Sequence, residues 1–158
     1  MQLKVKAASG RYRQADKEEV LLEAARYAVM DAPREKASTP RRTIDSLRRY
    51  LAPLEREVFA VLWLDARHGV IEFDVISAGT VDSAQVPVRE VAKKALERNA
   101  VACVLTHNHP SGDSSPSPAD EHITRVLQEA LSLVEVRVLD HFVVGRDKAY
   151  SFAEHGLL

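Results

Sequence analysis

The apolar run at residues 100–107, AVACVLTH, restricts the fold of this chain more than any other stretch. A short, nearly continuous apolar run that is followed at once by Pro, Gly and Ser residues predicts a buried strand. A strand of this kind has to be covered by other elements, because its side chains leave few polar groups for solvent. The neighbouring segments should therefore supply covering helices and further strands of the same sheet.

The segments on both sides of this run alternate between helical and strand patterns. Helical spacing of apolar residues predicts a helix at 16–31 that Pro33 ends and a short helix after Pro40. The β-rich runs 58–65 and 70–77 predict an antiparallel hairpin. Further helices are predicted at 87–98 and 118–133, and the last strands at 136–145 and 149–152.

This alternation predicts an α/β or α+β sandwich, in which one mixed sheet has flanking helices. We expect two parts, an N-terminal helical extension with a basic linker at residues 1–53 and the sheet-containing domain at residues 54–158. At 158 residues the chain is large enough to bury a core without disulfides.

Composition favours a globular protein of the cytoplasm. Hydrophobic residues make up 46% and charged residues 28%, and no apolar run is long enough to cross a bilayer. The N-terminal stretch lacks the apolar segment of a secretory signal, so we expect a cytoplasmic location and no membrane partner. Because Cys103 is the single cysteine, an internal disulfide and a thiolate-rich zinc site are both excluded. Its apolar neighbours favour a role as a small buried side chain that fills space in the core.

Charge gives weak support for a nucleic-acid partner. The net charge is −1 and the pI is near 6.6, so the chain has no overall basic excess. The local exception is the stretch 34–49, whose basic residues are Arg34, Lys36, Arg41, Arg42, Arg48 and Arg49. A solvated linker is the favoured interpretation, and a nucleic-acid patch is the alternative.

Two histidines at the end of the buried strand indicate a metal site. His107 and His109 are two residues apart, and side chains at that spacing in an extended chain point to the same side. The residues Pro110 to Gly112 allow the chain to turn back, and Asp120 is the natural third ligand. Imidazole nitrogens and a carboxylate oxygen suit Zn²⁺, and three protein ligands leave a fourth position for a water. Bound to zinc, that water can ionise near pH 7, which predicts hydrolysis.

Ser117 and Asp120 also have an explanation that needs no metal. Ser117 can cap the helix that starts at Pro118, and an acidic residue three positions later is a near relative of the capping box. The two interpretations are compatible, because the Ser117 hydroxyl can cap the helix or face the site. Capping does not explain the two histidines and the Pro/Gly turn as well, so the metal site is favoured.

These residues resemble a known motif. The string HNHPSGD, the later Ser117-x-x-Asp120 and the segment LDHFVVG at 139–145 are similar to the JAMM motif of the JAB/MPN metalloprotease superfamily, in its RadC-like branch. The resemblance covers about residues 54–158. It implies a cytidine-deaminase-like fold, one zinc ion held by His107, His109 and Asp120, hydrolysis of an amide or isopeptide bond, and a Ser117 that stabilises the oxyanion.

The resemblance also implies a glutamate near the first strand as general base. Glu57 matches that place, just before VFAVLWLD, and it would take a proton from the water and pass it to the leaving nitrogen. Glu55 and Glu90 are competing candidates. For Asp140 and His141, a structural pair with its own hydrogen bonds is favoured over a role in orienting a ligand, so both are left out of the predicted site.

Together with the predicted metal site, this resemblance implies a zinc-dependent hydrolase of the JAMM type, a metallopeptidase or isopeptidase with a peptide or isopeptide substrate. The alternative is a RadC-like DNA repair or DNA-processing protein, either a metal-dependent nuclease or a DNA-binding accessory module. A third hypothesis is a scaffold that binds metal without turnover. The loops 79–86 and 111–116 are expected to determine specificity, and neither the substrate nor the oligomeric state follows from the sequence.

Overall fold

The structure, a computed structural model, describes residues 3–31, 39–79 and 85–158. Within these ranges the chain forms seven strands, four α-helices and one 3₁₀ turn at Ala153–His155. The strands are β1 Lys4–Lys6, β2 Tyr12–Gln14, β3 Val58–Leu64, β4 Val70–Ala78, β5 Ala102–Asn108, β6 Arg137–Val144 and β7 Ala149–Ser151. The helices are α1 Lys17–Met30, α2 Pro40–Leu51, α3 Val88–Glu97 and α4 Pro118–Ser132.

The main sheet has five strands in the order β4-β3-β5-β6-β7. Strand β5 lies at its centre, antiparallel to β3 and parallel to β6, whereas β3–β4 and β6–β7 are antiparallel hairpins. Helix α4 makes the crossover from β5 to β6, as a parallel pair requires. The predicted mixed sheet, the front hairpin and the buried strand at 100–107 are thereby confirmed.

Helices cover both faces of the sheet, so the molecule has three layers. Alternating residues of β3 point to opposite sides: Ala60 and Leu62 pack with α1 and α2, and Val61 and Trp63 pack with α3 and α4. The buried side chains of the four helices are Ala25 and Val29 of α1, Ile44, Leu47 and Leu51 of α2, Val91 and Ala95 of α3, and Leu127 and Leu131 of α4.

The small hairpin β1–β2 was not predicted from the sequence. Its strands have three residues each, and all but Val5 are exposed, so they lack the alternation of apolar and polar residues that marks a half-buried strand. The N-terminal extension is therefore helical with a preceding hairpin. The boundary predicted near residue 53 stays a prediction, although α2 packs into the same core cluster as β3.

Most of the described part of the basic stretch lies in the helix that was predicted after Pro40. Residues 40–49 lie in α2, where Arg41 donates to the carbonyl of Ala149 and Arg48 donates to that of Arg146. Arg34 and Lys36 lie outside the described residues, and so does part of the predicted loop 79–86. None of the helices in the described ranges has the length and apolar composition needed to span a bilayer.

Candidate metal centre

The C-terminal end of β5 and the first turn of α4 bring His107, His109 and Asp120 together. The Nε2 atoms of the two histidines are 3.0 Å apart. Asp120 Oδ1 lies 3.1 Å from His107 Nε2, and its Oδ2 lies 3.3 Å from His109 Nε2. The expected grouping of these three residues is thus what the fold produces, and this group could hold a metal ion.

The tautomer of His109 follows from its second ring nitrogen. Nδ1 lies 2.8 Å from the carbonyl oxygen of Asp113, which only accepts hydrogen bonds, so Nδ1 carries the hydrogen. In the neutral ring, Nε2 then presents a lone pair toward Asp120. Lone pairs and a carboxylate that face one point repel one another unless a proton or a metal cation lies among them.

The donor set fits zinc. Two imidazole nitrogens and a carboxylate oxygen are ordinary zinc ligands, and tetrahedral bonds of about 2.0–2.2 Å would separate them by about 3.3–3.6 Å. The separations of 3.0 to 3.3 Å between these atoms are within a few tenths of an ångström of that spacing. His107 and Asp120 are buried and His109 is half-buried, so the group opens to solvent on the side of His109.

The pKa values of the site follow from the same contacts. The hydrogen bond to Asp120 raises the pKa of His109 above its usual value, against the opposing effect of burial. Burial acts to raise the pKa of Asp120, but the effect of the facing imidazoles of His107 and His109 outweighs it and holds that pKa far below its ordinary range. Asp120 is therefore ionised at neutral pH, as a metal ligand must be.

Ser117 takes the capping role that was considered from the sequence. Its Oγ accepts from the Asp120 backbone N–H at 3.2 Å, and its own N–H donates to Asp120 Oδ2 at 2.7 Å, which completes a capping box at the start of α4. The cap therefore fixes the carboxylate that faces the histidines. Because the Ser117 oxygen only accepts in this arrangement, its hydroxyl hydrogen can still be donated elsewhere.

Glu57 lies next to the site, immediately before β3. In the β3–β5 pairing Phe59 is opposite His107, so the same register continued by two residues places 57 opposite 109. The negative charge of Glu57 also acts to raise the pKa of His109, after the larger effects of Asp120 and the Asp113 carbonyl. Of the competing glutamates, Glu55 is exposed and lines a groove with Asp16 and Leu21, and Glu90 is exposed in the first turn of α3.

Sequence analysis missed the role of Asn108, which lies between the two histidines. This fully buried side chain accepts from the N–H of Val58 at 2.8 Å and donates to the carbonyl of Arg56 at 3.0 Å. It therefore holds the backbone on both sides of Glu57. The carbonyl of Glu57 also accepts from the N–H of Gly79 at 2.8 Å. A polar residue in an otherwise apolar strand end is the signal that could have found it.

His141 is a second residue that sequence analysis left out of the site. It lies in β6, an interior strand of the sheet, and its fully buried ring is 2.8 Å from His107, measured from Nε2 to Nδ1. Burial lowers the pKa of His141 well below its usual value, so the ring is neutral. Asp140 instead accepts from Ser151 Oγ at 2.6 Å and from two backbone N–H groups. Asp140 thus has the structural hydrogen bonds that were expected, whereas the ring of His141 contacts His107. The exclusion of both residues from the site stays a prediction.

Cys103 takes no part in this site. It is fully buried in β5, and burial raises the pKa of its thiol to about 12, so the thiolate that would act as nucleophile does not form at neutral pH. The side chain is the apolar filler that the sequence indicated.

Comparison with known proteins places the chain in a family. Residues 37–157 match the family described as RadC-like JAB domain. A UPF0758 protein of Leptothrix cholodnii is 50% identical over 142 residues, which cover 89% of this chain and 64% of that protein. UPF0758 proteins of Methylibium petroleiphilum and Vibrio cholerae are 52% and 56% identical, over 76% and 73% of this chain.

The chain spans 64% and 54% of the length of the relatives from Leptothrix and Methylibium, and 73% of that from Vibrio. The match includes both histidines, Asp120, Glu57 and all strands of the five-stranded sheet. With more than half of the chain matched, this protein belongs to the family of RadC-like JAB domain proteins.

Proposed function

We propose that this protein is a zinc-dependent hydrolase of the JAMM type that cleaves a peptide or isopeptide bond. The observation that carries the proposal is the convergence of His107, His109 and Asp120 into a group that opens to solvent on the side of His109. The β3–β5 register, continued by two residues, brings the backbone of Glu57 opposite that of His109. Zinc would be held by these three ligands, one ion per chain, and it would supply the Lewis acidity that makes a water nucleophilic at neutral pH.

Glu57 is the proton carrier in this proposal. A carboxylate close to the ligands can accept a proton from the attacking water and deliver it to the leaving nitrogen. Its backbone is held by Asn108 and Gly79, so the side chain starts from a fixed position. Ser117 would donate its hydroxyl hydrogen to the substrate oxygen as that oxygen gains negative charge.

The first test separates the proton carrier from its neighbour in sequence. Zinc-loaded wild-type protein is screened with quenched peptides and isopeptide-linked conjugates, and Glu57→Gln and Glu55→Gln are then compared on the cleaved substrate. Glu57→Gln should lower kcat by about 10²–10⁴-fold and keep zinc, because it removes only a proton acceptor. Glu55→Gln should behave as wild type. Loss of activity in the Glu55 variant alone would contradict the assignment.

The second test addresses the ligands. His109→Ala should lose both zinc and hydrolysis, whereas alanine at the exposed His122 should lose neither. Zinc is measured by metal analysis and chelator competition. A zinc-loaded wild type that cleaves none of the substrates would overturn the hydrolase and leave the scaffold hypothesis.

The DNA-processing alternative receives little support from the described residues. Arg41 and Arg48 of the basic stretch are used in contacts within the chain, and Arg41 also pairs with Asp45 and Glu154. If the alternative holds, DNA binding should weaken steeply with salt and be abolished by neutralising Arg41, Arg42, Arg48 and Arg49.

A further inference from the structure

A chain of short hydrogen bonds leads from one proposed metal ligand to another through the interior. His107 Nδ1 is 2.8 Å from His141 Nε2, and His141 Nδ1 is 2.6 Å from Thr124 Oγ1. Thr124 Oγ1 in turn donates to the carbonyl of Asp120 at 2.6 Å. This series of hydrogen bonds therefore connects β5, β6 and α4, and it ends at Asp120, whose side chain faces His107.

The last group in this series, the carbonyl of Asp120, fixes which atom donates in every hydrogen bond. The carbonyl of Asp120 only accepts, and two oxygens 2.6 Å apart require a hydrogen between them, so Thr124 donates its single hydroxyl hydrogen there. Thr124 then presents a lone pair to His141, whose Nδ1 must carry the hydrogen. His141 Nε2 is left to accept from His107 Nδ1–H, which leaves the lone pair of His107 on Nε2.

The surroundings leave these groups few other partners. His141 and Thr124 are both 0% exposed, and His107 is 1% exposed. The ring of His141 stacks on Phe152 at 4.7 Å and meets Phe59 edge-on at 5.6 Å. Such apolar walls favour a neutral ring and exclude water as a substitute for Thr124. If these hydrogen bonds ran in the opposite direction, the hydrogen of His107 would lie on Nε2, where it would block metal binding.

We propose that His141 and Thr124 are positioning residues that hold His107 in the Nδ1–H tautomer, so that its Nε2 lone pair faces the metal. The inference rests on the metal site of the proposed function but not on hydrolysis. A zinc-binding protein without hydrolytic activity would thus refute the proposed enzyme and leave this inference open to its own test.

The sharpest variant is Thr124→Val, which keeps the shape of the side chain and removes the hydroxyl that bonds to His141 and to the Asp120 carbonyl. Without the Thr124 acceptor, the His141 tautomer with its hydrogen on Nε2 becomes more stable relative to the other. That hydrogen would be donated to His107 Nδ1, so the hydrogen of His107 would move to Nε2 and His107 would become a poorer metal ligand. Zinc affinity, measured by chelator competition, should fall by about 10–100-fold, the usual effect of losing a group that orients a ligand. Thr124→Ser restores the hydroxyl and should restore the affinity.

Thr106→Val is the matched control. Thr106 is equally buried and precedes His107, but its hydroxyl donates to the carbonyl of Phe142 on the other face of the sheet. This variant should bind zinc as wild type does, even where its thermal stability falls. Equal zinc affinity in wild type and a folded Thr124→Val, or equal losses in Thr124→Val and Thr106→Val, would overturn the proposal.

The histidine tautomers can also be measured directly in the wild-type protein, which avoids any effect of a substitution on folding. Long-range ¹H–¹⁵N NMR of the zinc-loaded protein reports which ring nitrogen of each of the six histidines carries a hydrogen. We expect Nδ1–H for both His107 and His141. A His141 ring protonated on Nε2 in the zinc-loaded protein would overturn the proposed polarity, and wild-type protein that binds no zinc would overturn both this inference and the function on which it rests.

Discussion

Asn108 separates the two histidines in sequence and joins β3 to β5 in space. Its amide bonds to Arg56 and Val58 are buried, so they fix the backbone that carries Glu57 relative to the strand that carries the ligands. The side chain of Asn108 points away from its two neighbours, as the alternation of a strand requires. One residue of the HNH string thus fixes the backbone of the proposed proton carrier, while the other two are the proposed metal ligands.

We expect Asn108→Ala to slow hydrolysis without weakening zinc binding. It leaves a buried N–H and a buried carbonyl without partners, which should also cost about 1–3 kcal/mol of stability per group. If Asn108 acts through Glu57, the double variant with Glu57→Gln should be no slower than Glu57→Gln alone. If the loss of kcat in the double variant equals the product of the two single-variant losses, Asn108 acts independently of Glu57.

Acid should compete with the metal at His109. Its pKa is raised in the metal-free protein, mainly by the hydrogen bond to Asp120, so a proton leaves Nε2 only at a higher pH than in a free imidazole. Zinc must displace that proton, and its apparent affinity should therefore fall as the pH is lowered through this raised pKa. Chelator competition between pH 8 and pH 5 measures the effect. An affinity that stays constant over this range would contradict the ligand role of His109.

At the level of elements, the first turn of α4 supplies a cap and a ligand together. Ser117→Ala removes the acceptor of the Asp120 N–H, which should destabilise the metal-free protein by about 1 kcal/mol in urea unfolding. Ser117→Thr keeps the hydroxyl and should recover most of that stability. If the hydroxyl also serves the substrate oxygen, the kcat of the alanine variant should be lowered even at temperatures where that variant is fully folded.

The turn after β6 lies so close to the loop after His109 that only glycine fits at position 145. A Cβ on Gly145 would lie 2.6 Å from the carbonyl oxygen of Gly112 and 2.9 Å from the backbone nitrogen of Ser114. The same loop holds Asp113, whose carbonyl fixes the ring of His109. Packing between two loops distant in sequence thus maintains the orientation of a proposed ligand.

Gly145→Ala should therefore weaken zinc binding as well as stability, since the backbone of residues 112–114 must shift to make room. Gly156→Ala is the matched control: Gly156 has φ +69° and no atom within 4 Å of an added Cβ, so its cost is local backbone strain of about 1–2 kcal/mol. Calorimetry and zinc titration of the two variants separate the effects. Equal zinc affinities would show that the loop does not depend on this contact.

At the level of the whole molecule, two partly buried ion pairs connect helices on opposite faces to β4. Arg26 of α1 binds Glu72, and Arg98, which caps α3, binds Asp74 at 2.7 Å. Burial acts to raise the pKa of both carboxylates, but the arginine hydrogen bonds outweigh it and the pKa of each is lowered. Both pairs therefore favour the folded state when the carboxylates are ionised.

Acid should weaken the fold through these pairs. A carboxylate with a lowered folded-state pKa adds stability above its unfolded pKa of about 4, and this stability is lost as the pH falls toward the folded value. Asp74→Asn should be less stable than wild type at pH 6 and should lose less stability between pH 6 and pH 3. Urea unfolding followed by circular dichroism measures both, and Asp147→Asn, at an exposed position, should show the wild-type slope.

Much of this architecture follows from local patterns in the sequence. The four helices, the β3–β4 hairpin and the buried β5 could be predicted because apolar spacing and Pro or Ser signals depend on neighbours along the chain. The short β1–β2 hairpin could not, because its exposed strands leave no such pattern. His107, His109 and Asp120 could be named because a strand end, a turn and a helix start fix their relation within 14 residues.

Only the tertiary structure decided which distant residues complete the site. His141 and Thr124 meet His107 because the parallel pairing of β5 with β6 and the crossover through α4 place them on one face of the sheet. Asn108 reaches Arg56 and Val58 through the antiparallel pairing of β3 with β5. The sequence by itself indicated the proposed ligands and the helix and strand elements that form the layers, since both depend on local spacing. Strand order and register, which depend on packing between remote segments, decided what holds those ligands in position.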